Sequence, residues 1–326
     1  MSVVKKQKIA NNLALSKVSD DVDSGKILYN RAVVLEGHQG PVYSAAINSE
    51  LIVSGGDDKT INIWKLPTDD NDVNLGCIRG HKAAVTSVCW MNGNIVSGSA
   101  DSTMAIWDGE TGQKIRNYRN STIINQVRYN GTLLASCDDA GTVKLWDFRE
   151  KNSISTISTK FPVWTCCLSS SGNIFFSGID PTIQAYDTRA TDKSLWTTSS
   201  TIDSITSLDI NNDNSMLVSR STRGAVSTYN AKEFLPENVS RSSPYVYDGA
   251  PSGNEYKLIR ACFSGDSSRI ASGSDDKTVT VWDVVTRRIL NKFEGHEAST
   301  LDVTFHPSEN IVISTSLDGT LIVREL

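Results

Sequence analysis

Apolar and polar positions along this 326-residue chain alternate in short, β-branched runs, and the runs come in groups. The clearest group is Ile270 to His296. Thr278-Val279-Thr280-Val281 leads into Trp282-Asp283, and a second run, Arg288 to Phe293, closes on Gly295-His296. A period of two predicts strands, with one row of side chains set against the neighbouring sheet. The same group can be read seven times between Lys26 and Leu326. The place of Trp282-Asp283 is taken elsewhere by Trp64-Lys65, Trp107-Asp108, Trp146-Asp147, Tyr186-Asp187, Tyr229-Asn230 and, last, Arg324-Glu325. Upstream of that site stands a turn aspartate: Asp58, Asp101, Asp180, Asp276 and Asp318. The third repeat has Ala140 there with Asp139 beside it, and the fifth has Arg223. The Gly-His element survives as Gly37-His38, Gly80-His81 and Gly295-His296.

One interval is long. Tyr229 to Trp282 contains about ten extra residues, which fall in 231–256 among Pro236, Pro244, Gly249, Pro251 and Gly253 and predict an extended loop interrupting an outer strand. Such a loop reads equally as surface elaboration or as a carrier of contacts on a rigid scaffold. At the other end, residues 1–25 are polar, with the cluster Lys5-Lys6-Gln7-Lys8 and then Asp20, Asp21 and Asp23. That composition predicts a mobile tail, because it buries too little surface to offset its ordering entropy. The lysines read as an import signal or as an ordinary solvated run. The length alone would allow two domains, but the internal period makes 26–326 one folded unit.

Composition narrows the function. Hydrophobic residues at 39% and charged residues at 21% suit a soluble globular chain with a substantial core. A net charge of -5 gives no sign of a basic surface for neutralising phosphates, so direct nucleic-acid binding is disfavoured and contact with RNA is expected only through other proteins. No run is long and apolar enough to span a bilayer and no secretion signal opens the chain, which predicts an intracellular protein. The six cysteines have no C-x-x-C spacing and read as core thiols. No H-E-x-x-H, P-loop, G-x-G-x-x-G or G-x-S-x-G is present. The pairs Asp57-Asp58 and Asp275-Asp276 lie in tight turns, where aspartates satisfy backbone donors. The expectation is a protein without catalysis, metal, cofactor or small-molecule substrate.

The Trp-Asp and Gly-His elements, with a period near that of WD repeats, resemble the WD40 family. The resemblance implies an all-β, seven-bladed propeller. Leu326 follows the third strand of the seventh repeat directly, so Ala32 to Leu35 is expected to supply the fourth strand and close the ring. The resemblance also implies a buried hydrogen-bonded set within a blade, here His81, Asp101, Ser97 and Trp107, which makes His38, His81, His296, Asp58, Asp101, Asp276, Trp64, Trp107, Trp146 and Trp282 structural. Blades three to five lack the histidine and are expected to lean on apolar packing. On the face carrying the Gly-His loops, the family's register points to Tyr43, Thr86, Asn125, Trp164, Thr206, Ile259 and Leu301. Of these, Tyr43, Trp164 and Ile259 are candidate partner contacts, with Asp57 and Asp275 as acidic points for a basic partner.

Beyond the general fold, Asp139 to Arg149, Phe176 to Asp180, Glu233 to Glu237, Asn254 to Phe263 and Thr286 to His296 look like WD-repeat proteins of the spliceosomal U5 small nuclear ribonucleoprotein. That likeness implies a nuclear scaffold in pre-mRNA splicing, itself a monomer, docked on the largest protein of that particle. Trp146-Asp147-Phe148-Arg149 and Tyr186-Asp187-Thr188-Arg189 suggest an alternative: a substrate receptor that binds a cullin-ligase adaptor through Arg149 and Arg189.

Overall fold

The computed structural model describes residues 32–66, 73–198, 203–236, 240–241, 244–253 and 257–326. The tail at 1–25 and the first residues of the folded unit, 26–31, lie outside them. Within the described residues the chain forms seven antiparallel sheets of four strands each. Six are consecutive, over 42–79, 85–119, 124–158, 163–197, 205–247 and 261–293. The seventh takes three strands from 300–325 and its fourth, Ala32–Glu36, from the other end of the chain. Ala32 pairs with Arg324 and Glu36 with Thr320, so the ring is closed by backbone hydrogen bonds and has no first or last blade with a bare face.

Alternation in these strands does not separate core from solvent; it separates two neighbours. In blade one, Val53, Ile61 and Ile78 pack with Val85, Val88 and Trp107 of blade two. Ile52 and Trp64, one step out of phase on the paired strands, pack the other way, with Leu35, Ile313 and Leu321 of blade seven. Seven such apolar clusters fill the seven seams between blades. Strands with two buried faces read as nearly continuous apolar runs, as Asn94–Ser99 and Asn173–Gly178 do.

Nearest the axis the blades are joined by polar bonds. A side chain on one inner strand accepts the N–H of the next: Ser44 from Val88, Ser87 from Val127, Gln126 from Cys166, Thr165 from Leu208, Ser207 from Ala261 and Asp302 from Ala45, at 2.7–3.3 Å. Between blades six and seven the link is Arg260 N–H to Leu301 O, at 2.7 Å. The Arg260 side chain then crosses the axis. Its Nη1 donates to Asp302 Oδ2 at 3.1 Å and Ser44 Oγ at 2.9 Å, and its Nη2 to the carbonyls of Thr86 at 3.0 Å and Asn125 at 3.3 Å. One guanidinium therefore touches blades seven, one, two and three.

Arg260 and Asp302 are both buried, and removing one partner leaves an unpaired charge in a low-dielectric site. Arg260→Met is expected to lower the free energy of unfolding by about 3–5 kcal/mol, read from urea denaturation. An unchanged midpoint would show that the axial bonds carry no closing force.

Candidate functional site

Two side-chain systems occupy the Gly-His face: buried networks that set the turns, and the groups those turns present. In blade two, His81 Nδ1 lies 3.0 Å from Asp101 Oδ2 and its Nε2 2.7 Å from Ser97 Oγ, while Trp107 Nε1 donates to the same Ser97 Oγ at 2.7 Å. The chain is consistent with a neutral imidazole: Nδ1–H donates to the carboxylate and Nε2 accepts the seryl proton, leaving the seryl oxygen for the indole. Burial lowers the His81 pKa against the pull of Asp101. Burial pushes Asp101 up, but bonds from Thr103, the Lys82 N–H and His81 outweigh it and hold its pKa at about 2. Blade one repeats the set with His38, Asp58, Ser54 and Trp64. Gly80 belongs to it for a packing reason, since a Cβ there would sit 2.7 Å from the Trp107 ring.

The other blades solve the same problem with different residues. In blade seven, His296 bonds Asp318 and Ser314, but the indole's place is filled by Arg324, whose guanidinium lies 5.2 Å over the Phe293 ring and donates to the Glu294 carbonyl. Blade three departs from the expected reliance on apolar packing. Asn120 Nδ2 donates to Ser136 Oγ and Asp138 Oδ2, and Trp146 Nε1 donates to Ser136 Oγ at 2.9 Å. Asp138, rather than Asp139, thus takes the carboxylate's place. In blade four Tyr186 stacks on Phe176 at 5.5 Å. In blade six, Trp282 donates to the Asp248 carbonyl, Asp276 meets Lys292 at 2.7 Å, and Ser272 is engaged by the wholly buried Arg220 of blade five. His306 bridges blades on the opposite face, through Nε2 to the Ser49 carbonyl.

The register residues of the Gly-His face have a common cause. In six inner strands the pairing slips by one residue near the start, and the skipped residues are Tyr43, Thr86, Asn125, Trp164, Thr206 and Leu301. A β-bulge turns its extra side chain out of the ladder. Thr86, Asn125 and Thr206 use that freedom to bond the next blade, at the carbonyls of Ile124, Val163 and Ile259. Tyr43 and Trp164 remain half-exposed. The Tyr43 hydroxyl donates to exposed Asp57 at 3.2 Å, and burial together with that carboxylate raises its pKa.

Two of the proposed contacts do not belong to this surface. Ile259 is only 2% exposed, before strand Ala261–Phe263, with its carbonyl taken by Thr206 of blade five. Asp275 is a poor acidic point, with its side chain 8% exposed and its carboxylate taken by Lys257 at 2.8 Å and Ser299 at 2.6 Å. Conversely, Ile123, Phe161 and Ile179, exposed by 40–50%, lie on loops of blades three and four on the same face as Trp164. Within each blade a backbone bond fixes these loops: Asp139 N–H to Ile123 O in blade three, and Ile179 N–H to Pro162 O in blade four. The signal for them was the apolar residue immediately before or after a strand, outside the alternating run. Arg149 and Arg189 lie on the opposite face, both exposed; Arg189 reaches Asp187 only at 4.0 Å. Among the described residues no three His, Cys, Asp or Glu side chains converge as a metal site, and no helix is long and apolar enough to cross a membrane.

Comparison with known proteins places these features. Residues 112–147, 250–283 and 287–324 match the WD domain, G-beta repeat, and residues 42–128 match the β-propeller of DDB1- and CUL4-associated factor 12. The human U5 small nuclear ribonucleoprotein 40 kDa protein is 36% identical over 300 residues, covering 90% of this chain and 83% of its own. The chain belongs to that WD40-repeat family. A member from Dictyostelium discoideum is 31% identical over 299 residues, again covering 90% of this chain and 83% of its own, and pre-mRNA-splicing factor cwf17 of Schizosaccharomyces pombe is 32% identical over 224 residues, 67% of this chain and 64% of its own. In this chain the ring nitrogens of His38, His81 and His296 are each engaged by an aspartate and a serine of their own blade.

The networks predict an acid-sensitive propeller. Because the folded pKa of His81 is lowered, the unfolded chain binds the proton first as pH falls through the ordinary histidine value of about 6.5, and stability is lost below it. The Asp101 contribution is complete above the ordinary carboxylate value and is lost as pH falls toward about 2. Urea midpoints should therefore drop from pH 7 to pH 5. His81→Ala should lower the pH 7 midpoint, by about 1–3 kcal/mol in stability, and shrink the drop; an unaltered pH profile would contradict a neutral His81.

Proposed function

We propose that this chain is a non-catalytic scaffold of pre-mRNA splicing, a nuclear component of the U5 small nuclear ribonucleoprotein that docks on the particle's largest protein. The observation that carries the reading is identity of 36% to the human 40 kDa U5 protein across 90% of the chain, which spans every blade and not a few repeats. The geometry supports it. A ring with seven filled seams is a rigid disc, and its Gly-His face presents an aromatic–acid pair, Tyr43 with Asp57, together with Trp164 and the exposed apolar side chains Ile123, Phe161 and Ile179. These are anchors for a protein surface, where a few buried aromatics carry most of the energy. The mild net charge of -5 keeps RNA contact indirect.

A second reading rests on a specific observation. Arg149 and Arg189 are exposed in adjacent blades on the face away from the Gly-His loops, and part of the chain matches the propeller of DDB1- and CUL4-associated factor 12. On that reading the chain is a substrate receptor of a cullin-type ubiquitin ligase.

Affinity purification of the tagged chain from nuclear extract, with and without ribonuclease, separates the two. A very large protein is expected to stay bound after RNA digestion and to fall by roughly tenfold or more with Tyr43→Ala and Trp164→Ala together. Recovery of a cullin adaptor that disappears with Arg149→Ala and Arg189→Ala, without splicing proteins, would replace the first reading by the second.

A further inference from the structure

The long interval in blade five is built, not merely inserted. It leaves the third strand, Val226–Asn230, and the chain returns as the outer strand Tyr245–Tyr247. Arg241, within it, turns its guanidinium back onto the loop's own start: Nε donates to the Asn230 carbonyl at 3.1 Å, and Nη2 donates to the carbonyls of Lys232 and Glu233. The same guanidinium lies 4.0 Å over the ring of Trp196, on the outer strand of blade four. One side chain thus ties three backbone positions of the loop to the rigid edge of a neighbouring blade. Immediately after them comes Phe234, 83% exposed, followed by half-buried Leu235 and exposed Pro236.

We infer that Phe234 is a preorganised anchor for an apolar pocket on a protein partner, held in place by the Arg241 clamp on the face opposite the Gly-His loops. A phenyl ring contributes strongly only when desolvated, and a loop that is already fixed loses little entropy on docking. The charges select the kind of partner. Among the described residues of the loop, the flanking Lys232 is offset by Glu233 and the Arg241 guanidinium is spent on three carbonyls and an indole, so the loop presents no unmatched cation for a phosphate backbone. The inference deepens the scaffold reading and rests on it: a second contact, on the other face from Tyr43 and Trp164, lets one disc join two surfaces.

The test uses the full-length chain with its native partners. With a photo-crosslinking benzoyl-phenylalanine in place of Phe234, irradiation is expected to give an adduct with one splicing protein, mapped to an apolar pocket and insensitive to ribonuclease. Phe234→Ala should reduce recovery of that protein by roughly tenfold or more, Arg241→Ala should reduce it similarly, and Phe234→Leu should keep most of it. The thermal midpoint of Phe234→Ala should equal the wild type's, because the ring is exposed. Equal recovery of splicing proteins by wild type and Phe234→Ala would overturn the inference and leave the scaffold reading intact. An adduct lost on ribonuclease treatment, or formed with a second copy of this chain, would also overturn it. Splicing proteins absent from every sample, with the adduct still formed in a pocket of another protein, would sink the scaffold reading and keep the anchor.

Discussion

The structure depends on the circle of hydrogen bonds nearest its axis. At six of the seven seams an inner strand gives a backbone N–H to a side chain of the strand before it, and at the seam between blades six and seven Arg260 gives its N–H forward to Leu301. The bond from Ala45 to Asp302 joins positions 257 residues apart. Within a sheet the backbone would pair whatever the side chains were; between sheets only these bonds and the apolar seams fix how one blade meets the next. A ring imposes a further condition that an open stack does not: errors in blade angle accumulate, and the seventh seam must still fit. Arg260 addresses that condition directly, since its guanidinium spans the closing seam between blades seven and one and reaches two blades beyond. The strand Ala32–Glu36 does the same work at the rim.

Around this frame, each blade has one buried seryl oxygen or its equivalent near the centre of the turn, and the blade must satisfy it. The His–Asp–Ser–Trp set is one arrangement. Asn120 with Asp138, Arg220 reaching across a seam to Ser272, and Arg324 over Phe293 are others. The improvised versions are less complete. Asn120 Oδ1 and Arg220 Nε are among the buried polar atoms without a partner, whereas every nitrogen of His38, His81 and His296 finds one. Imperfect networks in a low-dielectric interior contribute less. Stability should therefore be unevenly spread, with blades seven, one and two, consecutive around the closing seam, the most firmly held.

The sequence carried the repeat, the aromatic positions and the closing strand because each follows from local spacing. It carried the contact surface less well. Naming Ile259 with Tyr43 and Trp164 assumed that one register position has one exposure, but Asn125, Thr206 and Leu301 at the same position are also buried, so exposure there is set by the neighbouring blade and not by the repeat. Asp275 looked like Asp57, since both precede a turn aspartate. What separates them is Lys257 and Ser299, 18 and 24 residues away along the chain and adjacent only in the fold. The axial charges were visible as oddities, such as Asp302 inside Leu301-Asp302-Val303. That they meet at one point is a property of the ring, which no single repeat contains.

The division of labour between faces follows from how the strands are joined. Most loops on the Gly-His face are short, the connection over 248–260 between blades five and six being the exception, and in blades one, two and seven they are locked by the buried networks. Third-to-fourth-strand connections open on the other face, outside those networks, and can lengthen without disturbing a seam. The third-to-fourth-strand connection of blade five, 231–244, falls there and has its own fastening. Arg241 supplies that fastening by borrowing Trp196 from the blade next door. A scaffold gains from this arrangement: one surface is specified by the repeat and the other is free to be specified by a loop. The filled seams between them tie the two surfaces together, so on the proposed reading two partners are held at a fixed separation and orientation.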